Sequence, residues 1–377
     1  MKRSTWLCLT LLVAPPLAAQ TADEPWRDSF YPIISYSGND GVTLAARVAW
    51  NKRGPWQAPY FYAGRIVIDA GYSSSGSYVT SLWFHAPGLR RDWRFDGAAT
   101  ATQQSRFEFY GVGEDSRYRP DSVNDAQKYY YKLRRTQQQF RGELSRRLTG
   151  HLWVTGTALY KQTTFHDLPG PSLYTSFFVN DKKETDAIGR VGVVFDSREN
   201  DYDTHHGLLL DAGVLKGTFG SGYRQWMVEG RAWVPFGEWR STWIALRGVA
   251  AASTGDVPLD SRLYLPVFEG QVRVLGGSES HRGMLDQRFI GRDLLFGNVT
   301  LHHDLVNAGG MLAAGVTAFA DAGRVFEQEK FSLTTTGMKV GGGAGLYLRL
   351  MQTGVYTFNF AEGPDGFVFT LGNSWMF

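Results

Sequence analysis

Cysteine is almost missing: the 377 residues contain one, Cys8, inside a leader-like N-terminal segment. The remainder therefore offers no thiol for a disulfide, a thiolate metal site or a thiol nucleophile. Long apolar runs are missing too. Beyond the N-terminus no stretch approaches the roughly 20 residues that a membrane-crossing helix needs, and the mean hydropathy is −0.26. Charge of one sign is scarce, with a formal net charge of +3 spread along the chain, which argues against a nucleic-acid partner. Catalytic signatures are also absent: there is no HExxH, no GxSxG and no phosphate loop. His205-His206 and His302-His303 are adjacent pairs, and neighbours on a strand point to opposite faces, so neither pair converges on one metal or one substrate. These absences lead us to expect no enzyme, no cofactor and no metal site.

The first residues, MKRSTWLCLTLLVAPPLAAQ, have a basic start, a short apolar run and small residues before Gln20. That is the three-part pattern of a secretory signal peptide. We expect a leader over 1–19, a short segment over 20–30 and a single domain over 31–377. The composition of that domain is unusual for a chain of its hydropathy. Aromatics make up 14% of the whole sequence, with 44 Gly and 12 Trp. Such a balance suits a membrane barrel, with aromatic girdles at its two rims and Gly where strands approach closely.

Alternation over segments of about ten residues carries the fold assignment. In RQWMVEGRAWV, Trp226, Val228, Gly230, Ala232 and Val234 share one face, while Gln225, Glu229 and Arg231 share the other. In TDAIGRVGVVFDSR, Ala187, Val191, Val193 and Phe195 oppose Asp186, Arg190, Asp196 and Arg198. GNVTLHHDL repeats the pattern, with Val299, Leu301 and Leu305 against Asn298, Thr300, His302 and Asp304. The expected fold is all-β, a transmembrane antiparallel β-barrel of about sixteen strands. A water-soluble sandwich also alternates, but its strand and loop lengths differ. Turns such as Asn39 to Gly41 are short, whereas the connections around Gly113 to Gln127, Thr164 to Lys183 and Asp256 to Gly291 are long. We expect the short turns on one side of the membrane and the long loops outside.

The sequence ends GFVFTLGNSWMF, which places Phe367, Phe369, Leu371 and Trp375 on one face, with Phe377 closing the alternation. A terminal Phe after apolar residues at every second position resembles the targeting signal of outer-membrane barrels. It implies the barrel-assembly machinery as a partner during biogenesis, and the bacterial outer membrane as the location.

Three further elements lie in the C-terminal third: LGGSESHRGM in the longest loop, FADAG from Phe319 to Gly323, and the Gly-rich MKVGGGAGLYLRL. Together they resemble the outer-membrane assembly and secretion superfamily that includes BamA, TamA and the two-partner-secretion transporters. In that family an extracellular loop with an Arg-Gly tip folds back into the barrel, and its Arg meets the Asp of an F-x-D-x-G strand. The resemblance maps this latch onto Arg282, Gly283, Phe319, Asp321 and Gly323. Independently, the apolar face of Leu312, Ala314, Val316, Ala318 and Ala320 turns Asp321 to the opposite, inner side. GVVFDSRENDYDTHHG is similar to a D-x-R strand and turn found midway through such barrels. Departures are His281 and Met284 beside the Arg-Gly, and Thr300 where many members carry Glu, which removes a second carboxylate partner. About ten residues between leader and first strand are too few for a folded module, so the family's periplasmic POTRA domains are not expected.

What the resemblance implies is the insertion or translocation of a protein or lipid client at the outer membrane. A passive solute channel and a structural surface barrel are the readings from other classes. Outer-membrane lipids, including lipopolysaccharide, are the expected surroundings. The basic segment YYYKLRRTQQQFRGELSRRL reads as a strand with a wet inner face, with binding of lipopolysaccharide phosphates as the sharper alternative.

Overall fold

The computed structural model describes residues 7–9, 25–37, 39–52, 62–90, 92–178, 181–237, 241–308, 311–350, 354–372 and 374–377. The expected leader, apart from 7–9, and residues 20–24 of the short segment lie outside them. By contacts the chain divides into two units, 1–108 with 121–191 and 109–120 with 192–377. The first holds β1 (Leu7–Leu9), β2 (Arg27–Ser37), β3 (Gly41–Lys52), β4 (Gly64–Ser73), β5 (Tyr78–Arg90), β6 (Trp93–Glu108), β7 (Lys132–Thr149), β8 (Leu152–His166) and most of β9 (Lys182–Asp196). The second holds the end of β9, then β10 (Gly207–Gly217), β11 (Tyr223–Phe236), β12 (Thr242–Gly255), the one-turn helix α1 (Leu259–Leu263), β13 (Tyr264–Val267), β14 (Gly270–Arg273), β15 (Asp293–Ala308), β16 (Leu312–Phe326), β17 (Lys339–Leu350), β18 (Gly354–Gly363) and β19 (Gly366–Gly372).

Leaving aside β1 and the small β13–β14 hairpin, sixteen strands remain among the described residues. Strand β2 begins at Arg27, ahead of the Tyr31 start read from the sequence, because Arg27 to Phe30 already pair with Val48 to Asn51 of β3. Within the first unit, successive strands from β2 to β8 pair antiparallel. Within the second, β10 to β12 and then β15 to β19 do the same. Among the described residues of this unit, the pairing of β12 with β15 passes over an intervening segment, so the loop between Gly255 and Asp293 is free to pack against the sheet rather than extend it.

The two faces are inverted relative to a soluble sheet. In β9, Glu184, Asp186, Arg190 and Asp196 are buried while Ala187, Val191 and Val193 are exposed. Strand β11 repeats this, with Gln225, Met227 and Glu229 buried and Trp226, Val228 and Val234 exposed. The basic strand β7 buries Arg135, Gln137, Gln139, Arg141 and Glu143 on one face, and Arg141 donates to Glu143 at 2.6 Å. An apolar outer face is stable only in an apolar medium, and charged groups on the inner face persist because they pair with each other.

Loop length does not sort the connections as the sequence suggested. Counting antiparallel strands, the Asn39 to Gly41 turn lies at the same end of the first unit as the long 109–131 and 167–181 connections. Side chains agree: Asn39 Nδ2 donates to Glu108 Oε1 at 3.1 Å, Arg106 donates to the Asn39 carbonyl at 3.1 Å, and Lys132 Nζ reaches Asn39 Oδ1. The expectation that this turn sits opposite the long loops is therefore corrected. Strand parity fixes the end, and a short turn can occur at either.

A labelling experiment follows from this parity. With the long loops outside, cysteines placed at Ser176 and at Ser74, both exposed, should react with an impermeant maleimide on intact cells. One at His151, at the other end of the unit, should react only after lysis. Protection of the Ser74 site in intact cells would contradict the parity.

Candidate functional site

The loop between β12 and β15 is buried although it is the longest connection. Leu263, Leu275, Met284 and Ile290 are fully buried, as are Ser280 and His281. It starts with α1, continues through the β13–β14 hairpin, and then turns back at Gly276 and Gly277, both at positive φ. Ser280 ties that turn together: its Oγ accepts from Gly276 N at 2.9 Å and donates to the Val274 carbonyl at 2.8 Å. The turn presents His281, Arg282 and Gly283 to the polar face of β15, β16 and β17.

Register builds the receiving surface. Asn298 and Thr300 of β15 stand opposite Asp321 and Phe319 of β16, which in turn stand opposite Gly341 and Gly343 of β17. Asp321 accepts from Arg282 at three points: the backbone N at 2.8 Å and Nε at 2.9 Å on Oδ2, and Nη2 at 2.7 Å on Oδ1. Asn298 Nδ2 supplies a fourth donor to Oδ1 at 2.9 Å and also donates to the Ser280 carbonyl at 2.7 Å. These four donors fill the lone-pair positions of one carboxylate. The Arg282 guanidinium lies 3.6 Å from the centre of the Phe319 ring. Its Nη2 also donates to Thr300 Oγ1 at 3.0 Å, so a hydroxyl accepts this donor in place of a second carboxylate. Both charges are almost fully shielded from solvent. In such a place the fork-shaped, bidentate pairing of guanidinium and carboxylate is strongest, and stranding either partner is costly.

Glycine makes the close approach possible. A Cβ on Gly283 would stand 2.9 Å from the Glu362 carbonyl oxygen and 3.1 Å from Gly363 Cα; one on Gly341 would stand 2.7 Å from the His281 ring. The Gly-rich strand β17 thus serves as a floor under the loop tip. Gly323 serves likewise for Leu275, which a Cβ there would meet at 2.6 Å.

Further contacts, which the sequence reading did not single out, fasten the rest of the loop. Asp365, in the β18–β19 turn, accepts from Leu285 N at 3.0 Å and from Arg288 Nε at 2.8 Å. Arg288 also donates to Ser116 Oγ at 2.9 Å. At the hairpin, Arg198 pairs with Asp196 through two donors and reaches Glu269 at 3.1 Å, while Phe268 N donates to Asp211 at 2.8 Å. The D-x-R motif at Asp196 and Arg198 is in this way a second fastening for the same loop. Its sequence signal was present, but a motif alone does not say what it touches.

His281 is buried with Nε2 against the Lys339 carbonyl at 3.2 Å, and Nδ1 has no partner among the described residues. Burial holds its pKa below the ordinary value for histidine, although the nearby Asp321 charge opposes the shift. A histidine whose pKa is lowered on docking binds fewer protons docked than free. Docking is then at full strength above pH ~6.5, the free value, and weakens as pH falls below it. Limited proteolysis of the loop should accelerate between about pH 7.5 and about pH 5, and His281→Gln should remove most of that dependence. Equal dependence in the variant would assign the effect to another group.

The C-terminal segment departs from its expected course. Phe367 and Phe369 do lie on the outer face beside Phe360, at 6.4 and 5.0 Å between ring centres, and Leu371 pairs with Phe358. Strand β19 stops at Gly372, however, and strict alternation stops with it. Trp375 turns to the polar face, where Nε1 donates to Asp203 at 2.9 Å and the ring meets His302 at 4.8 Å and Tyr347 at 5.0 Å. Phe377 lies 6.4 Å from Trp233 on the same side. The expectation of one shared face for Trp375 with Leu371 and Phe369 is corrected. The adjacent histidines do point apart, since His302 is buried and His303 exposed. Yet one member of each pair, His205 and His302, stacks on Trp243 at 4.0 and 4.7 Å, a convergence across strands that a linear sequence does not display. Among the described residues no group of three or more His, Cys, Asp or Glu is placed to hold a metal ion.

No protein-family model matches the sequence, and no curated protein matches it. Solved structures do match. BamA from Haemophilus ducreyi lacking POTRA domains 1–3 superposes with a TM-score of 0.59 at 13% identity, over 92% of this chain and 69% of that one. CdiB from Escherichia coli gives a TM-score of 0.61 at 15% identity, over 93% of this chain and 62% of that one. CdiB from Acinetobacter baumannii gives 0.55 at 13% identity, over 91% and 57%. The fold is that of the BamA and CdiB barrels. The chain spans between 57% and 69% of the length of these structures, and the likeness is one of fold. On the BamA and CdiB fold, the polar face of the strands is the inside of the barrel, and the β12–β15 loop is a segment folded onto the inner wall.

Proposed function

We propose that this protein is an outer-membrane barrel of the BamA and CdiB type in which the docked β12–β15 loop acts as a lid, controlling insertion or passage of a protein or lipid client. The observation that carries the reading is the lid tip. A loop held by a fully coordinated, buried ion pair at Arg282 and Asp321 has one discrete docked state, as a gate requires. Nothing in that arrangement resembles a catalytic centre, and the proposal is of a conduit or insertase rather than an enzyme.

Reconstitution tests it. Liposomes containing the protein should accelerate folding of a urea-unfolded outer-membrane barrel, or movement of a labelled lipid between leaflets, and Asp321→Ala should change that rate. A second reading, a passive solute channel, is favoured by the charged inner face of β7, β9 and β11. It predicts steady ion conductance without any effect on client or lipid. Conductance alone, identical in wild type and Asp321→Ala, would overturn the gated-client reading.

The terminal residues are proposed as the assembly signal, carried by Phe369 and Leu371 on the outer face and by Trp375 and Phe377 turned inward. Deleting Phe377 should sharply lower the folded, heat-modifiable population in outer membranes. Unchanged assembly would reduce the segment to an ordinary last strand.

A further inference from the structure

A cavity of about 280 Å³ lies within the second unit between the lid hairpin, the polar face of β11 and β12, the 197–206 turn and the terminal residues Ser374 to Phe377. Four arginines line it: Arg231 and Arg247 from the wall, Arg273 from the lid hairpin and Arg198 from the turn. Asp201 and Glu279 are the acidic side chains among the lining residues. The wall arginines share one counter-charge, since Arg231 Nε and Arg247 Nε both donate to the same oxygen of Glu229, at 2.9 and 2.8 Å. One positive charge is therefore left over at that wall. Arg231 makes no other hydrogen bond among the described residues, and Arg247 adds only one to the Glu279 carbonyl. Among the described residues Arg273 pairs only with Glu279, at 3.2 Å. A separate observation points the same way: the amide nitrogen of Gln271, which also lines the cavity, is shielded from solvent and has no hydrogen-bond partner among the described residues. A buried donor left unsatisfied beside guanidinium N–H groups lacking acceptors is a set of donors awaiting oxygen atoms.

We propose that this cavity binds a small multivalent oxyanion of phosphate chemistry, which bridges Gln271 and Arg273 of the lid hairpin to Arg231 and Arg247 of the wall. Guanidinium forks fit phosphate oxygens in pairs, and an anion held from both sides stabilises the docked lid by its own binding. The cavity is near the end of the unit where β11 ends at Phe236 and β18 begins at Gly354, opposite the end from which the lid loop springs. Its size and position fit a free anion better than a lipid headgroup with attached chains.

Calorimetric titration of the full chain in detergent with inorganic pyrophosphate tests the site. The expected result is saturable binding that weakens about tenfold in Arg273→Gln and again in Arg231→Gln, while Arg273→Lys retains part of it. Arg273 lies in the loop and outside the barrel strands, and heat-modifiable migration on gels checks that each variant is folded. Pyrophosphate should also slow proteolysis of the lid in wild type and not in Arg273→Gln. Absence of saturable binding, or equal affinity in wild type and both glutamine variants, would overturn the proposal. Binding of dispersed phosphatidic acid without binding of pyrophosphate would overturn it too, by assigning the arginines to a lipid headgroup.

Discussion

Asp321→Ala should release the lid. The substitution leaves the Arg282 guanidinium buried with only Thr300 Oγ1 and the Phe319 ring, and leaves Asn298 Nδ2 with the Ser280 carbonyl alone. A buried pair adds little net stability over an apolar filling, but removing one partner costs roughly 3–5 kcal/mol because the other charge is stranded. An equilibrium between docked and released lid shifts by about a factor of ten for each 1.4 kcal/mol, so the released state should rise more than a hundredfold. Arg282→Ala should do the same from the other side. In the double variant neither charge is stranded, and the loss should be well short of additive. Protease cleavage within 276–290 of folded protein in outer membranes measures the released population. Two single losses that simply add would mean that the two residues do not act as a pair.

Gly283→Val should be as severe, for a steric reason. Three backbone atoms of Glu362 and Gly363 lie within 3.2 Å of where its Cβ would stand. Those atoms belong to a paired strand and cannot swing aside as a flexible side chain can. The tip must therefore lift, and lifting it breaks the hydrogen bonds between Arg282 and Asp321. The barrel strands are untouched, so heat-modifiable migration should be normal while the lid becomes at least as protease-sensitive as in Asp321→Ala. A docked, protected lid in Gly283→Val would show that the tip does not approach the wall as closely as Gly283 implies.

Strand identity and facing were legible because a chain with an apolar outside and a wet inside must alternate strictly. The period alone places Asp321, Asn298 and Thr300 on one face, and the sixteen long strands among the described residues agree with the number expected. Facing does not give partners. Asn298 shares a face with Thr300 two residues on, yet its bridge from Asp321 to the Ser280 carbonyl depends on where a distant loop returns. Asp365 and Arg288 escaped for the same reason, being 77 residues apart in the chain. The end at which Asn39 lies is fixed by strand parity, which turn length does not report. Trp375 leaves the face of Leu371 and Phe369 because pairing ends at Gly372, beyond which the backbone no longer enforces the period. His205 and His302 met unannounced on Trp243, since inward-facing residues of separate strands meet only in three dimensions.

The most direct measurement of the docked lid is a crosslink between its tip and the wall beneath. Asn298 donates to the Ser280 carbonyl at 2.7 Å, and Cys8 is the sequence's single native cysteine. Cysteines placed at Ser280 and Asn298 should therefore be joined in high yield by a short thiol-specific crosslinker in outer membranes, shifting the protein on a denaturing gel. Adding Asp321→Ala should sharply reduce that yield. Failure of the pair to crosslink with Arg282 and Asp321 intact, or a yield unaffected by Asp321→Ala, would contradict a lid held on the barrel wall by this ion pair.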